Sequence, residues 1–307
     1  QYFFFKQWRD LKKYANENGI YIIGDLPYYV SSESVEVWTE PENFCVDENF
    51  NIKLVAGCPP DDFSPYGQLW GNVIYNNDYI IKSGYRLWLD RFSFSKEMYD
   101  VIRIDHFKAF ESYFVIDSKD NSPENGKWQK GAGYDFFKRM KEKIGEVPII
   151  AEDLGYKTDE LRKLLSECGF PGMNILQFAF DGNSDNEYLP HNYSKNSVVY
   201  TGTHDNDTTK GFILSAKKSE IRSAKEYFRT RKTSELLRVF ILEALASVSN
   251  LCILPLQDLL GLDSIGRINT PSTINNNWQW RCTHEQLKNI DFEGLLKYTK
   301  IYGRTVQ

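Results

Sequence analysis

Residues 101–107 read VIRIDHF, an apolar β-branched run that closes on Asp105 and His106 and carries Arg103 two positions before the acid. A buried strand can be built from Val, Ile and Phe alone, so ionisable side chains inside one cost free energy unless something uses them. Alternation along a strand puts Arg103 and Asp105 on the same face, where charge pairing would hold the carboxylate ionised. Five other runs share this layout: YIIGDLP at 21–27, VPIIAED at 147–153, NILQFAF at 174–180, SVVYTGTHD at 197–205 and CILPLQD at 252–258. In all but 174–180, charged residues gather at the C-terminal end, namely Asp25, Asp105 with His106, Glu152 with Asp153, His204 with Asp205, and Asp258.

Helical periodicity fills 134–144, 158–168 and 233–249 between these runs. Strands alternating with helices predict βα units and a parallel sheet, hence an α/β protein. A doubly wound sheet gathers ligands at one crevice, whereas a (β/α)8 TIM barrel collects the C-terminal ends of all its strands around one mouth. Acids on so many strand ends favour the barrel. Only six strands are counted, so the expected fold is a single catalytic domain over 1–307 that lacks its first one or two βα units. On this reading the chain is a truncated product or a fragment, and an upstream N-terminal segment is the partner that closes the barrel. A long insertion around 28–99 is expected at the C-terminal face. Its 28–77 stretch, with Phe63, Tyr66, Gln68 and Trp70 in CPPDDFSPYGQLWGN, reads as a loop leaning over the barrel mouth.

The chain has 307 residues, 41% hydrophobic and 26% charged, enough apolar mass for a large core. Aromatics reach 15%, and rings of this kind fill cores or stack on the apolar faces of sugars. A formal net charge of −5 gives no footprint for nucleic acid or an anionic membrane. The clusters Lys217-Lys218 and Arg229 to Lys232 read as solvated helical faces. No run of about 18 apolar residues appears, so no membrane span is expected. The opening QYFFFKQWRDLKKYANENG reads as an amphipathic helix closing at Gly19, without a signal-peptide layout. Five cysteines without a CxxC pair predict free thiols and a cytoplasmic setting. Four histidines without paired ligand spacing predict no metal site.

Three carboxylates, Asp105, Glu152 and Asp205, end different runs. Retaining cleavage of a glycosidic bond needs a carboxylate nucleophile and a protonated acid about 5–5.5 Å apart. Asp is short and suits the nucleophile, and the longer Glu reaches the leaving oxygen. Glu152 follows VPII, where partial desolvation raises a carboxyl pKa toward an acid catalyst's value. Asp153 is either an N-cap or a sugar ligand. Asp205 is expected to hold sugar hydroxyls and stabilise positive charge on the ring, with His106 and His204 as hydroxyl donors.

RIDHF, IIAEDLG and TGTHDND resemble signature segments of the amylomaltase or 4-α-glucanotransferase family, in the α-amylase clan. The resemblance continues through GDLPYYV, PPDDFSPYGQLWGN, NGKWQKG, LQFAFDG, YLPHNY and LGLDSIGRINTPST, nearly the whole chain. It implies retaining transfer of α-1,4-glucan segments between maltooligosaccharide donors and acceptors, without organic cofactor or essential metal. It further implies Asp105 as nucleophile, Glu152 as acid/base and Asp205 as transition-state stabiliser. Substrate contacts fall to Arg103, His106, His204 and Asn269, and Gln68 and Trp70 would meet the acceptor side. Glu33 stands where the family usually has Asp, which changes a carboxylate's reach there. An α-amylase-like hydrolase and a noncatalytic glucan-binding remnant are the alternative readings.

Overall fold

The computed structural model describes residues 1–60, 66–155, 157–271 and 273–305; Phe63 of the predicted aromatic loop lies outside them. The chain divides into two compact units, Gln1–Pro171 and Gly172–Gln307.

The first unit opens with α1 (Tyr2–Glu17), which ends just before Gly19 at φ 72. It continues through β1 (Ile23–Pro27), α2 (Val35–Thr39), β2 (Leu54–Cys58), β3 (Gln68–Val73), α3 (Asn77–Lys82), α4 (Arg86–Met98) and β4 (Val101–Asp105). Then come β5 (Ser112–Asp117), β6 (Lys127–Lys130), α5 (Gly133–Ile144), β7 (Ile149–Ala151) and α6 (Asp159–Cys168). Three of the predicted runs form a parallel sheet in the order β1-β4-β7. Central β4 buries Ile102 and Ile104 as well as Arg103, which is why it reads as a continuous apolar run instead of an alternating one. Gly24 in β1 lies so close to the Tyr99 ring that an added Cβ would overlap it. Beneath the sheet, α4 and α5 supply Trp88, Phe92 and Phe136 to a fully buried aromatic cluster with Tyr28 and Phe110. Each such ring removes 150–250 Å² from water, about the largest burial a side chain offers.

The 28–77 stretch, read from the sequence as a loop, contains strands. Its β2 and β3 pair antiparallel, and β5 and β6 complete a four-stranded sheet in the order β3-β2-β5-β6, so the subdomain draws on residues as far as Lys130. The reason is edge satisfaction: β2 presents a second row of backbone groups, and β5 covers it from Leu54↔Asp117 to Gly57↔Phe114. Val55, Phe114 and Ile116 form a small core of this sheet's own.

The second unit contains β8 (Gly172–Ile175), β9 (Ser197–Tyr200), α7 (Thr209–Ser215), α8 (Lys218–Tyr227), α9 (Leu236–Ala246), β10 (Leu251–Ile253), α10 (Leu256–Leu259), α11 (His284–Lys288) and α12 (Phe292–Ile301). Parts of the other three predicted runs form its parallel sheet, ordered β10-β9-β8; the run at 174–180 shares only Asn174 and Ile175 with β8, and Leu176–Phe178 turn into a 3-10 helix. α9 buries Leu236, Phe240, Ala244 and Leu245. Asp258 does not end a strand. Pro255 opens α10 after β10, and Asp258 is buried within that helix, accepting from Thr201 Oγ1 (2.6 Å), Thr209 N (2.8 Å) and Thr209 Oγ1 (2.6 Å). Burial pushes its carboxyl up against these bonds, so it ties loops together. Arg229 to Lys232 also depart from expectation, lying in the turn beyond α8 and not on a helical face.

Candidate active site

The pairing Ile104↔Ala151 brings the next residues, Asp105 and Glu152, to one level on adjacent strands. Backbone bonds from Glu152 N to Ile104 O and from Phe107 N to Glu152 O, both 3.0 Å, lock that register. Neighbouring strands lie about 4.8 Å apart, so the two side chains leave the backbone from adjacent positions at the same level.

Arg103, 7% exposed, sits between acids. Its Nη1 donates to both oxygens of Asp25 (2.6 and 2.8 Å) and to Asp105 Oδ1 (3.1 Å). Asp25 is its register partner on β1. Burial works against the charge, but Asp25, Glu152 and Asp105 together outweigh it and hold the guanidinium protonated more firmly than usual.

Glu152 meets a different balance. Burial pushes its carboxyl up and the charge of Asp105 pushes further, against Arg103 and two N–H donors, to about 7. Those donors fix the side chain: His106 N reaches Oε2 (2.7 Å) and Leu154 N reaches Oε1 (3.0 Å). His106 adopts a left-handed backbone, φ 54, which costs a residue with a Cβ about 1–2 kcal/mol. Burial lowers its imidazole to about 4, so the ring is neutral at pH 7. The ring lies edge-on to Trp70, centroids 5.0 Å apart, and beside Tyr29 at 5.9 Å. Trp70 and Gln68 share one face of β3, where Trp70 Nε1 donates to Gln68 Oε1 (3.0 Å).

Asp153 is buried and paired with Lys157 Nζ (2.9 Å). The N-cap of α6 is Thr158, whose hydroxyl accepts from Leu161 N (3.1 Å). In the second unit, the loop after β9 presents His204 and Asp205. Asp205 Oδ1 accepts from Asn269 Nδ2 (2.6 Å) and Oδ2 lies 3.2 Å from His204 Nε2. Arg267 ties the two loop segments together, from Nη2 to Asp205 O (3.0 Å) and from Nε to Asn269 O (2.9 Å). Trp278 packs against the His204 ring at 5.3 Å. Among the described residues no group of three or more His, Cys, Asp or Glu is arranged to hold a metal ion.

A family model described as 4-alpha-glucanotransferase matches residues 1–287. The chain belongs to the 4-α-glucanotransferase family. Relatives of that name from Clostridium butyricum and Streptococcus pneumoniae are 47% and 46% identical over 99% of this chain, which covers 63% and 60% of theirs. The chain thus spans about three fifths of the length of these curated relatives. A solved amylomaltase from Streptococcus agalactiae, in complex with acarbose, superposes with TM-score 0.95 at 43% identity over 99% of this chain and 61% of its own. An amylomaltase from Corynebacterium glutamicum, 20% identical over 97% of this chain and 47% of its own, shares the fold with TM-score 0.76.

Against the family's expected residues, the first unit brings Arg103, Asp105, His106, Glu152, Gln68 and Trp70 into one neighbourhood. Asp153 is turned to Lys157 and Asn269 to Asp205. Glu33 is exposed. Sequence reasoning missed the roles of Asp25 and Arg267. Asp25 was visible as a strand-end acid in GDLP, but its hold on Arg103 depends on the β1–β4 register. Arg267 sits in GRINT, far along the chain from Asp205, and no periodic pattern links the two.

Proposed function

We propose that this chain carries the catalytic machinery of a retaining 4-α-glucanotransferase, moving α-1,4-glucan segments between maltooligosaccharides. The observation that supports it best is a carboxyl pushed up to about 7, on Glu152, level with the Arg103-bound Asp105 on the neighbouring strand. Asp105 attacks the anomeric carbon while Glu152 gives its proton to the leaving oxygen, and a covalent glucosyl-enzyme forms. Glu152, now a carboxylate, takes the proton of an acceptor 4-hydroxyl as that oxygen displaces Asp105. By family resemblance Asp205 stabilises the oxocarbenium-like transition state, His106 and His204 contact hydroxyls, and the six parallel strands belong to a (β/α)8 barrel. Acarbose in the Streptococcus agalactiae relative supports an oligosaccharide substrate. Trp70 with Gln68 offers an acceptor platform, and the five free thiols fit a cytoplasmic setting.

Incubation with maltotriose tests the reading. Glucose together with maltopentaose and longer chains is the expected result. Glucose and maltose alone would mean hydrolysis, and no turnover with retained glucan binding would mean a binding protein. An activated fluoro-sugar should leave its label on the peptide containing RIDHF.

A further inference from the structure

Between Lys217 and Lys232 the chain places seven Lys and Arg against two Glu, in a protein of net charge −5. The fold gathers most of this charge around one groove of ≈ 580 Å³ lined by Lys218, Arg222, Lys225, Arg229 and Arg231 over Ile221. Lys218, Arg222 and Lys225 recur at helical spacing along one side of α8. The helix is pinned by buried Ala224 and by Ile221, which pack on the second unit's core. At its end Thr230 N bonds Lys225 O (3.0 Å) and Arg229 N bonds Glu226 O (3.2 Å), a cap whose left-handed position is held by Arg229 at φ 55. Glycine is the usual occupant of that position. The cap folds Arg231 back to the groove that α8 already lines with cations.

Two acids outside the lining are committed elsewhere. Glu220 accepts from Lys217 N (2.8 Å), and Glu235 accepts from Thr230 Oγ1 (2.9 Å) and pairs with Lys232 (3.3 Å). Glu226 is the acidic member of the lining. Among the described residues no carboxylate lies within 4.0 Å of the charged nitrogens of Lys218, Arg222, Lys225, Arg229 or Arg231. Five like charges around one concavity repel one another and raise the local concentration of anions.

We propose that this groove is a binding site for a small ligand carrying two or more phosphate groups. From Lys218 to Lys225 the helix advances about 10 Å, the reach of two or three linked phosphates. Arg forks match phosphate oxygens two at a time, and the volume falls in the range of small-molecule sites. A nucleic-acid track would need an extended basic path with stacking rings, and the lining contains no aromatic residue. None of its residues joins the hydrogen bonds around Asp205.

Titration calorimetry of the protein with tripolyphosphate, at a chloride-balanced ionic strength of about 0.15 M, tests this. Saturable one-to-one binding is expected, with orthophosphate weaker by about tenfold or more. Arg222→Gln with Arg231→Gln should weaken tripolyphosphate by about tenfold and leave the unliganded melting temperature and maltotriose turnover unchanged, since both side chains are exposed. Should the double variant fold poorly, Arg222→Gln alone must still weaken binding. Heat that never saturates, equal affinity in parent and variant, or a single-stranded oligonucleotide binding more tightly than tripolyphosphate would each overturn the assignment.

Discussion

At the scale of single residues, the centre of the first unit works by unequal treatment of two carboxyls. Asp105 receives the guanidinium of Arg103 directly, whereas Glu152 is buried, faces Asp105 and is aimed by the N–H groups of His106 and Leu154. Removing the charge next door must therefore relax Glu152: in Asp105→Asn its pKa should fall from about 7 toward the ordinary glutamate value. Carbon-13 NMR titration of labelled glutamate would read this directly, and an unmoved pKa would mean that Asp105 does not reach Glu152. In the parent, turnover should decline above pH 7 as Glu152 loses the proton it must donate. Glu152→Gln should reduce maltotriose turnover by about 10²–10⁴ while keeping more of the first step on a glucosyl fluoride, whose leaving group needs no acid. Equal losses on both substrates would refute the acid role. Asp105 and Glu152 were legible in the sequence because an ionisable residue closing an apolar run is conspicuous. The share of Arg103 taken by Asp25 was not, because it follows from register.

At the scale of elements, the six parallel strands could be read from their apolar runs, but the antiparallel sheet could not. Its central contact joins 54–58 to 112–117, and nothing local in either segment names the other. That pairing matters for function because it fixes β3, and β3 carries Trp70 to the edge of the His106 ring. Trp70→Ala should raise the ratio of hydrolysis to transfer, since an acceptor platform and a barrier to water are lost together; product analysis with maltotriose measures the ratio, and constancy would leave Trp70 a packing residue. The β1–β4 pair is the second test. Asp25→Asn removes one of two close acids from a buried guanidinium, and because the Asp25 side chain is 43% exposed the loss is screened to about 1–2 kcal/mol. Urea unfolding should show that loss, together with a fall in kcat as Arg103 redirects toward Asp105.

For the molecule as a whole, a carboxyl held near 7 is a standing destabilisation, and its sign can be worked out. Glu152 titrates at about 7 when folded and at about 4.3 when unfolded. Between those values the folded state binds the extra proton, so stability is fully present below about pH 4 and falls as pH rises through 7. The difference amounts to about 3–4 kcal/mol, a sizeable part of a typical domain's 5–15 kcal/mol. Glu152→Gln keeps the hydrogen-bonding shape of the neutral acid and cannot ionise. The transition that unfolds the first unit should therefore occur at higher denaturant in the variant than in the parent at pH 8, by up to about 3–4 kcal/mol, with the gap closing toward pH 4.5. Removal of a key carboxyl that stabilises the protein while lowering turnover is the signature of a group placed for chemistry at the expense of the fold. A parent and variant whose stabilities run parallel across that pH range would show that Glu152 ionises freely, and the assignment of the acid would move elsewhere.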